Sequence, residues 1–175
     1  PKQASAEWDE AVIRRLMDQQ ISIQRIQQDS QQLWISFPAI SDQVTDETVE
    51  QLLPLSPFIA WLDLSDTQIS AKALPTIAKM PAFEELNLRQ TSIQAQDLAP
   101  LAQHKRIERL NLSGVSLDDT IVDLLGKMPN LQRVYLGGSQ VSEAGIRRLS
   151  APRIEVITEA TPSEVISTDP NDVTD

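Results

Sequence analysis

The sequence predicts an α/β fold of the solenoid type, a right-handed coil of strand, turn and helix with a parallel sheet on its concave face. Two observations predict it. Leu-x-Leu segments recur every 24 residues, and the apolar positions around them stay in register through four copies. The chain has 175 residues, of which 41% are hydrophobic, and this suits one body with a modest core.

The first segment, residues 1–32, is predicted to form a cap made of a helix and a hairpin strand. Trp8, Val12 and Leu16 fall at i, i+4 and i+8, which favours an amphipathic helix. Residues 22–27 and 33–37 are joined by a short polar segment and can pair as a hairpin. Repeat proteins need such a cap because the terminal unit would otherwise expose its core.

Residues 33–158 are predicted to form the coil, with one degenerate repeat, four regular repeats of 24 residues and a terminal strand at Ile154 and Val156. The degenerate copy has Ile35 in its strand, 27 residues before Leu62, which predicts a longer turn between them. Within each regular copy, alternation of period 2 predicts a strand, and a later apolar pair spaced by three predicts a short helix. The regular copies contain LDLSDTQIS (62–70), LNLRQTSIQ (86–94), LNLSGVSLD (110–118) and VYLGGSQVS (134–142).

The helix boundaries within the repeats have their own signals. An oxygen-bearing side chain stands just after the strand-and-turn segment in three copies, where it can cap a helix, whereas Gln94 departs from this pattern. These predicted caps are Ser70, Asp118 and Ser142. A proline is expected to end the helix in three copies, and Lys105 replaces it once. These prolines are Pro57, Pro81 and Pro129.

The last segment, residues 159–175, is predicted to be a disordered acidic tail or linker. It carries five Asp and Glu residues, two prolines and no Lys or Arg. Such a composition cannot bury enough apolar surface to offset the entropy of ordering. Since the sequence begins with Pro1, we also expect it to be a fragment of a larger protein.

The repeats resemble the leucine-rich repeat family over about residues 33–157. The position that this family usually fills with Asn holds Thr67, Thr91, Val115 and Ser139. In this respect the repeats are similar to a bacterial Thr-type subclass, which is attached to c-type cytochrome domains in extracytoplasmic proteins. The resemblance implies a similar context for this chain, in the periplasm or at the cell surface.

Composition excludes several functions. A net charge of −10 opposes binding to nucleic acid. The chain has no cysteine, which removes disulfides, zinc–thiolate sites and covalent haem attachment, and no cofactor is predicted. The single histidine, His104, is predicted to lie in a surface loop, and Asp118 and Asp119 to be a helix cap and a first-turn acid. We therefore expect no enzyme activity. No apolar run is long enough to insert this segment into a membrane.

Residues between the core leucines of each strand should line the concave face in columns. One column places Trp34 beside Trp61, and this pair either stacks on a ligand or packs beneath the cap. A second feature is a basic, partly aromatic patch, which either binds a partner or forms ion-pair ladders, Glu85 with Arg109 and Glu155 with Arg133. The candidate binding residues are Trp61, Glu85, Arg89, Arg109, Arg133 and Tyr135.

These features predict a non-catalytic protein-interaction module that uses its concave strand face. The partner would be another protein or another domain of the parent chain, and we expect a monomer. The alternative is an appendage that recognises a glycan or a small anion for an attached enzyme or cytochrome domain. A structural spacer without a ligand is a third possibility.

Overall fold

The computed structural model describes residues 7–150 and 153–158, so the predicted tail at 159–175 lies outside the described residues. The chain forms a mixed α/β structure around one seven-stranded sheet whose strands follow their sequence order. β1 is antiparallel to β2, and all later pairs are parallel. The strands are β1 Ser22–Arg25, β2 Leu33–Ser36, β3 Ile59–Asp63, β4 Glu85–Asn87, β5 Arg109–Asn111, β6 Arg133–Tyr135 and β7 Glu155–Ile157.

The strand register reproduces the 24-residue spacing of the sequence. Leu62 lies opposite Leu86, Leu86 opposite Leu110, and Leu110 opposite Val134. The degenerate copy is in line as well, because Ile35 lies opposite Leu62 after a register shift at residues 33 and 34. The extra length of this copy is taken up by a 3₁₀ turn at Ser41–Gln43. Residues of one sequence column are therefore neighbours in space.

The helices cover one face of the sheet. The α-helices are α1 Glu10–Asp18, α2 Asp46–Gln51, α3 Ala73–Ala78, α4 Thr120–Lys127 and α5 Glu143–Ser150. The return segment of the second regular repeat, Ala95–Gln103, is a 3₁₀ helix instead of an α-helix. It contains Pro100, which has no N–H to donate and disfavours an α-helical turn around it. Helices and strands enclose one apolar core that includes Leu16, Leu62, Leu112 and Leu149.

Two features recur in the turns after the strands, a buried hydroxyl bond in two of them and a positive φ in all four regular copies. The hydroxyls of Thr67 and Thr91 are buried and donate to the carbonyls of Leu64 and Leu88, at 2.6 and 2.7 Å. These bonds give the turns part of the support that an Asn side chain would supply. The residue just before this position has a positive φ in all four regular copies, and two of the four are glycine, which adopts this conformation without strain. The four are Asp66, Gln90, Gly114 and Gly138.

Carboxylates also join neighbouring repeats along the helix side. Both oxygens of Asp46 accept from Ser70, one from its backbone N–H at 2.7 Å and one from its hydroxyl at 2.6 Å. Asp119 holds Ser142 in the same way, with both distances 2.6 Å. The bond from the Ser142 hydroxyl lowers the pKa of Asp119. Asp119 is thus a bridge between repeats, and it stands at the N-cap of α4 instead of in the first turn, where the acidic residue is Asp123.

The residues predicted to cap helices accept hydrogen bonds from backbone N–H groups two or three positions further on. Asp118 accepts from Thr120 at 3.0 Å, and Ser142 accepts from Gly145 at 3.1 Å. The contact from Lys72 to the Ser70 hydroxyl is longer, at 3.3 Å. Ser142 directly precedes α5, as predicted. The prediction is wrong by one or two residues elsewhere, because the N-cap of α3 is Lys72 instead of Ser70 and that of α4 is Asp119 instead of Asp118.

Candidate functional site

The sheet face opposite the helices, here called the open face, carries three columns of side chains that do not join the leucine core. The strand register sets Trp34, Trp61, Glu85, Arg109 and Arg133 side by side in the first column. Glu155 and Gln24 extend this column at its two ends. The second column contains Asp63, Asn87, Asn111 and Tyr135. The third, at the ends of the strands, contains Ser65, Arg89 and Ser113.

The second column is held by a repeated hydrogen bond. The side-chain oxygens of Asp63, Asn87 and Asn111 accept from the backbone N–H two residues further on, at 2.9, 3.0 and 3.0 Å. This Asx turn fixes each side chain at the start of the turn that follows its strand. Asn87 and Asn111 are 7% and 5% exposed, so these bonds fix the structure of the open face and leave little of the two side chains for a partner to contact.

Each arginine among the candidate binding residues has an acidic partner. Arg109 pairs with Glu85, and Arg133 Nε lies 2.7 Å from Glu155 Oε2. Both ion pairs of the predicted ladder are therefore present. The Arg89 Nη2 atom lies 2.6 Å from Asp66 Oδ2 in the preceding turn. Because these contacts offset the arginine charges, the patch is less basic than its sequence suggests.

The two middle arginines differ in their surroundings. Burial lowers the pKa of Arg109, and the positive charge of Arg133 adds to this effect. The hydrogen bond with Glu155 instead raises the pKa of Arg133, whose side chain is 42% exposed. Tyr135, which is 6% exposed, also raises the pKa of Arg133. The two side chains are similarly exposed, since Arg109 is 39% exposed, so both charges are accessible to a partner.

The two tryptophans meet at the other end of the open face. Their ring centroids are 6.2 Å apart at an interplanar angle of 63°, which is an edge-to-face contact. Both are half-buried, and neither is among the residues packed against the core cluster. It is Trp8 that packs against the core, with Phe58 at its edge and the Arg25 guanidinium 4.7 Å from its ring centroid. Trp34 and Trp61 are surface residues of the open face.

A cavity of about 390 Å³ adjoins Trp34 at this end. Its walls are formed by β1, β2, the turn after β2, and the end of β3. The polar and aromatic groups that line it include Ser22, Trp34, Ser36, Ser41, Asp63 and Asp66. Sequence reasoning found Trp34 but missed the cavity, because the serines come from three separate segments.

Comparisons with known proteins add little to this geometry. The sequence matches no protein-family model and no curated protein. Among solved structures, the chain is similar to an internalin from Listeria monocytogenes, with 20% identity and a TM-score of 0.47. The match covers 63% of this chain and 32% of the internalin chain, so the chain spans about a third of that protein. The site must be argued from its own residues.

His104 lies in the loop after a helix as predicted, but the prediction that it is a surface residue is wrong. Its side chain is 6% exposed and stacks on Phe83 with ring centroids 4.3 Å apart. Nε2 lies 2.9 Å from the carbonyl of Met80, and Nδ1 accepts from the backbone N–H of Arg106 at 3.3 Å. These partners require a neutral ring with its proton on Nε2. His104 follows Met80 by 24 residues and precedes Met128 by 24, so it occupies an apolar column of the repeat.

The remaining candidates for chemistry have structural contacts. Asp118 bonds to Thr120 and Asp119 to Ser142, and these hydrogen bonds lower the pKa of each carboxyl. Within residues 7–150 and 153–158, no group of three or more His, Cys, Asp or Glu side chains could hold a metal ion. The same residues contain no helix long and apolar enough to cross a membrane.

Proposed function

We propose that the chain is a leucine-rich repeat solenoid that acts as a non-catalytic protein-interaction module through its open face. The observation that carries this proposal is the pair of arginines in the first column, Arg109 and Arg133, which are 39% and 42% exposed and are each held by a glutamate. Arginine is among the residue types that are enriched at interaction hot spots.

In this proposal residues 1–32 cap the first repeat, and the module belongs to a larger extracytoplasmic bacterial protein. The size of the open face supports the larger context. Seven strands about 4.8 Å apart make a face roughly 29 Å long, and three alternating residues span about 13 Å. The resulting area, on the order of 400 Å², is about half of what each partner buries in a stable interface. A second domain of the same chain would bind such a small face more readily than a free protein, because linkage raises its effective concentration.

The ion pairs argue against a small anion as the main ligand. An anion would have to compete with Asp66, Glu85 and Glu155 for the arginines that they already hold. The same ion pairs favour a protein partner. They hold each guanidinium in place, and the alternating charges allow the face to discriminate between partners of different charge. The geometry therefore favours the protein partner over the anionic ligand.

The test uses two variants of the open face and one control. Ser113→Arg adds bulk in the centre of the face, at a column position where Arg89 shows that arginine fits the fold. Arg133→Ala removes one of the two partly exposed charges of the first column. Arg147→Ala is its matched control because Arg147 lies on α5 and pairs with Glu143. A partner captured from the organism that encodes the chain is titrated against each variant by biolayer interferometry.

We expect both open-face variants to raise the dissociation constant about tenfold or more, as for a central interface residue. Arg147→Ala should bind like the parent chain. The proposal is wrong if Arg147→Ala weakens binding as much as Ser113→Arg does, because the partner would then contact the helix side. It is equally wrong if Ser113→Arg leaves the affinity unchanged.

A further inference from the structure

We propose that the cavity beside Trp34 is a second binding site, and that its ligand is a neutral glycan. The cavity lies at the N-terminal end of the open face, several strands from Arg133. Its volume, about 390 Å³, is within the range of roughly 300–1,000 Å³ that small-molecule sites occupy. The proposal does not rest on the protein partner, although Trp34 and Asp63 also belong to the columns of the open face.

The walls combine an aromatic ring with many small hydroxyl groups. Among the described residues, the hydroxyls of Ser36, Ser41 and Ser65 make no hydrogen bond to other protein groups, although all three line the cavity. A hydroxyl both donates and accepts, which matches the hydroxyls of a sugar. The half-buried Trp34 offers an apolar ring surface for the C–H face of a sugar ring.

The charge of the cavity selects against anions and favours hydroxyl donors. Asp66 is neutralised by Arg89, whereas Asp63 makes no ion pair among the described residues. One oxygen of Asp63 accepts from the backbone of Ser65, so the carboxylate is already oriented. Its other oxygen can accept from a sugar hydroxyl, a charge-assisted bond that is stronger than a neutral one.

The indole N–H of Trp34 adds an independent observation. It is buried, and no acceptor bonds to it. An unsatisfied buried donor costs free energy, and most native proteins avoid it. Because Trp34 lines the cavity, an oxygen of a ligand bound there is a candidate acceptor for this N–H.

A basic peptide is the competing occupant, since Asp63 and Asp66 could also hold an ammonium group. We favour the glycan because Asp66 is already paired with Arg89, which leaves one free carboxylate among several hydroxyls. A single exposed carboxylate attracts a cation only weakly in water. Mixed donors and acceptors beside an indole ring suit a neutral polyhydroxylated ligand better.

The experiment is isothermal titration calorimetry with neutral oligosaccharides of the cello, laminari and chito series, and with pentalysine as the cationic probe. Asp63→Asn is the decisive variant. It removes the charge but keeps the Asx turn, because Asn87 and Asn111 make the same bond in the next two repeats. Asp123→Asn is the matched control on α4, where Asp123 pairs with Arg148. Trp34→Phe keeps an aromatic ring but removes the N–H donor.

We expect at least one neutral oligosaccharide to bind the parent chain, and Asp63→Asn to raise its dissociation constant about tenfold or more. Trp34→Phe should weaken binding less, and Asp123→Asn not at all. Three results would overturn the proposal: no binding of any of these glycans at millimolar concentration, unchanged affinity in Asp63→Asn, or binding of pentalysine in place of the glycans. Circular dichroism of each variant checks that the fold is kept. Ser113→Arg should still bind the glycan, so failure of one site is distinguishable from failure of the other.

Discussion

The two faces of the sheet follow the 24-residue repeat to different degrees. On the helix side, the strand leucines and the hydroxyls of Thr67 and Thr91 recur with the same contacts from one repeat to the next. On the open face, one column changes from tryptophan to glutamate to arginine within four strands. Stacking requires the first pattern, because each unit must fit the next. The side chains of the open face are not needed for stacking, so they can differ between repeats and determine which partner binds.

The largest expected difference between the two faces is in stability. Leu112 is fully buried under the sheet, whereas the neighbouring Ser113 is half-buried at the open face. We expect Leu112→Ala to lower the free energy of unfolding by about 2–5 kcal/mol, since it leaves a cavity in the core. Ser113→Ala should change it by no more than about 0.5 kcal/mol. Urea unfolding followed by circular dichroism measures both, and comparable losses would contradict the division between the faces.

A smaller effect is expected at the bridges between repeats. A methyl group at Gly145 would lie 2.7 Å from the Asp119 Oδ1 atom, which bonds to Ser142. Gly145→Ala should therefore displace Asp119 and crowd Val141, and overpacking of this kind costs about 1–3 kcal/mol. Gly126 lies in α4 with no atom within 4 Å of an added methyl group.

Gly126→Ala is therefore the matched control for Gly145→Ala. It should stabilise the protein by about 0.5–1 kcal/mol through helix propensity alone. Thermal unfolding of the two variants under the same conditions should move their midpoints in opposite directions. If both midpoints rise, the contact between Asp119 and Ser142 contributes nothing to stability.

The sequence predicts the sheet well because its signal is periodic. Leu62, Leu86 and Leu110 are neighbours in the structure as their spacing indicates. The candidate site is predicted less well. The ion pairs of Arg109 and Arg133 could be predicted because each arginine and its glutamate stand side by side in one column. The Arg89–Asp66 pair could not, because Asp66 lies in a turn and belongs to no column. The cavity beside Trp34 depends on the irregular turn of the degenerate repeat, where the period fails.

The burial of His104 follows the 24-residue period and not its local composition. Its neighbours Lys105 and Arg106 are charged, as is typical of a surface loop, but Met80 and Met128 lie in the same column and are fully buried. Burial lowers the pKa of His104 below its ordinary value of 6.5, although the bond to the Met80 carbonyl partly opposes this. In the neutral ring, Nδ1 accepts a hydrogen bond from the backbone N–H of Arg106. Protonation of Nδ1 would set two N–H groups against each other and break this bond.

The smallest expected effect follows from this histidine and is a pH dependence of stability. Because the pKa of His104 is lower in the folded protein, its neutral form favours folding above about pH 6.5, and that stability is lost as the pH falls through the folded pKa. No other imidazole titrates in this window, since the chain has one histidine. His104→Gln can still donate to the Met80 carbonyl but does not titrate. Between pH 8 and pH 5.5, the urea midpoint of the parent chain should therefore fall more than that of His104→Gln. An equal fall in the two midpoints would show that the ring is solvated despite its place in the core.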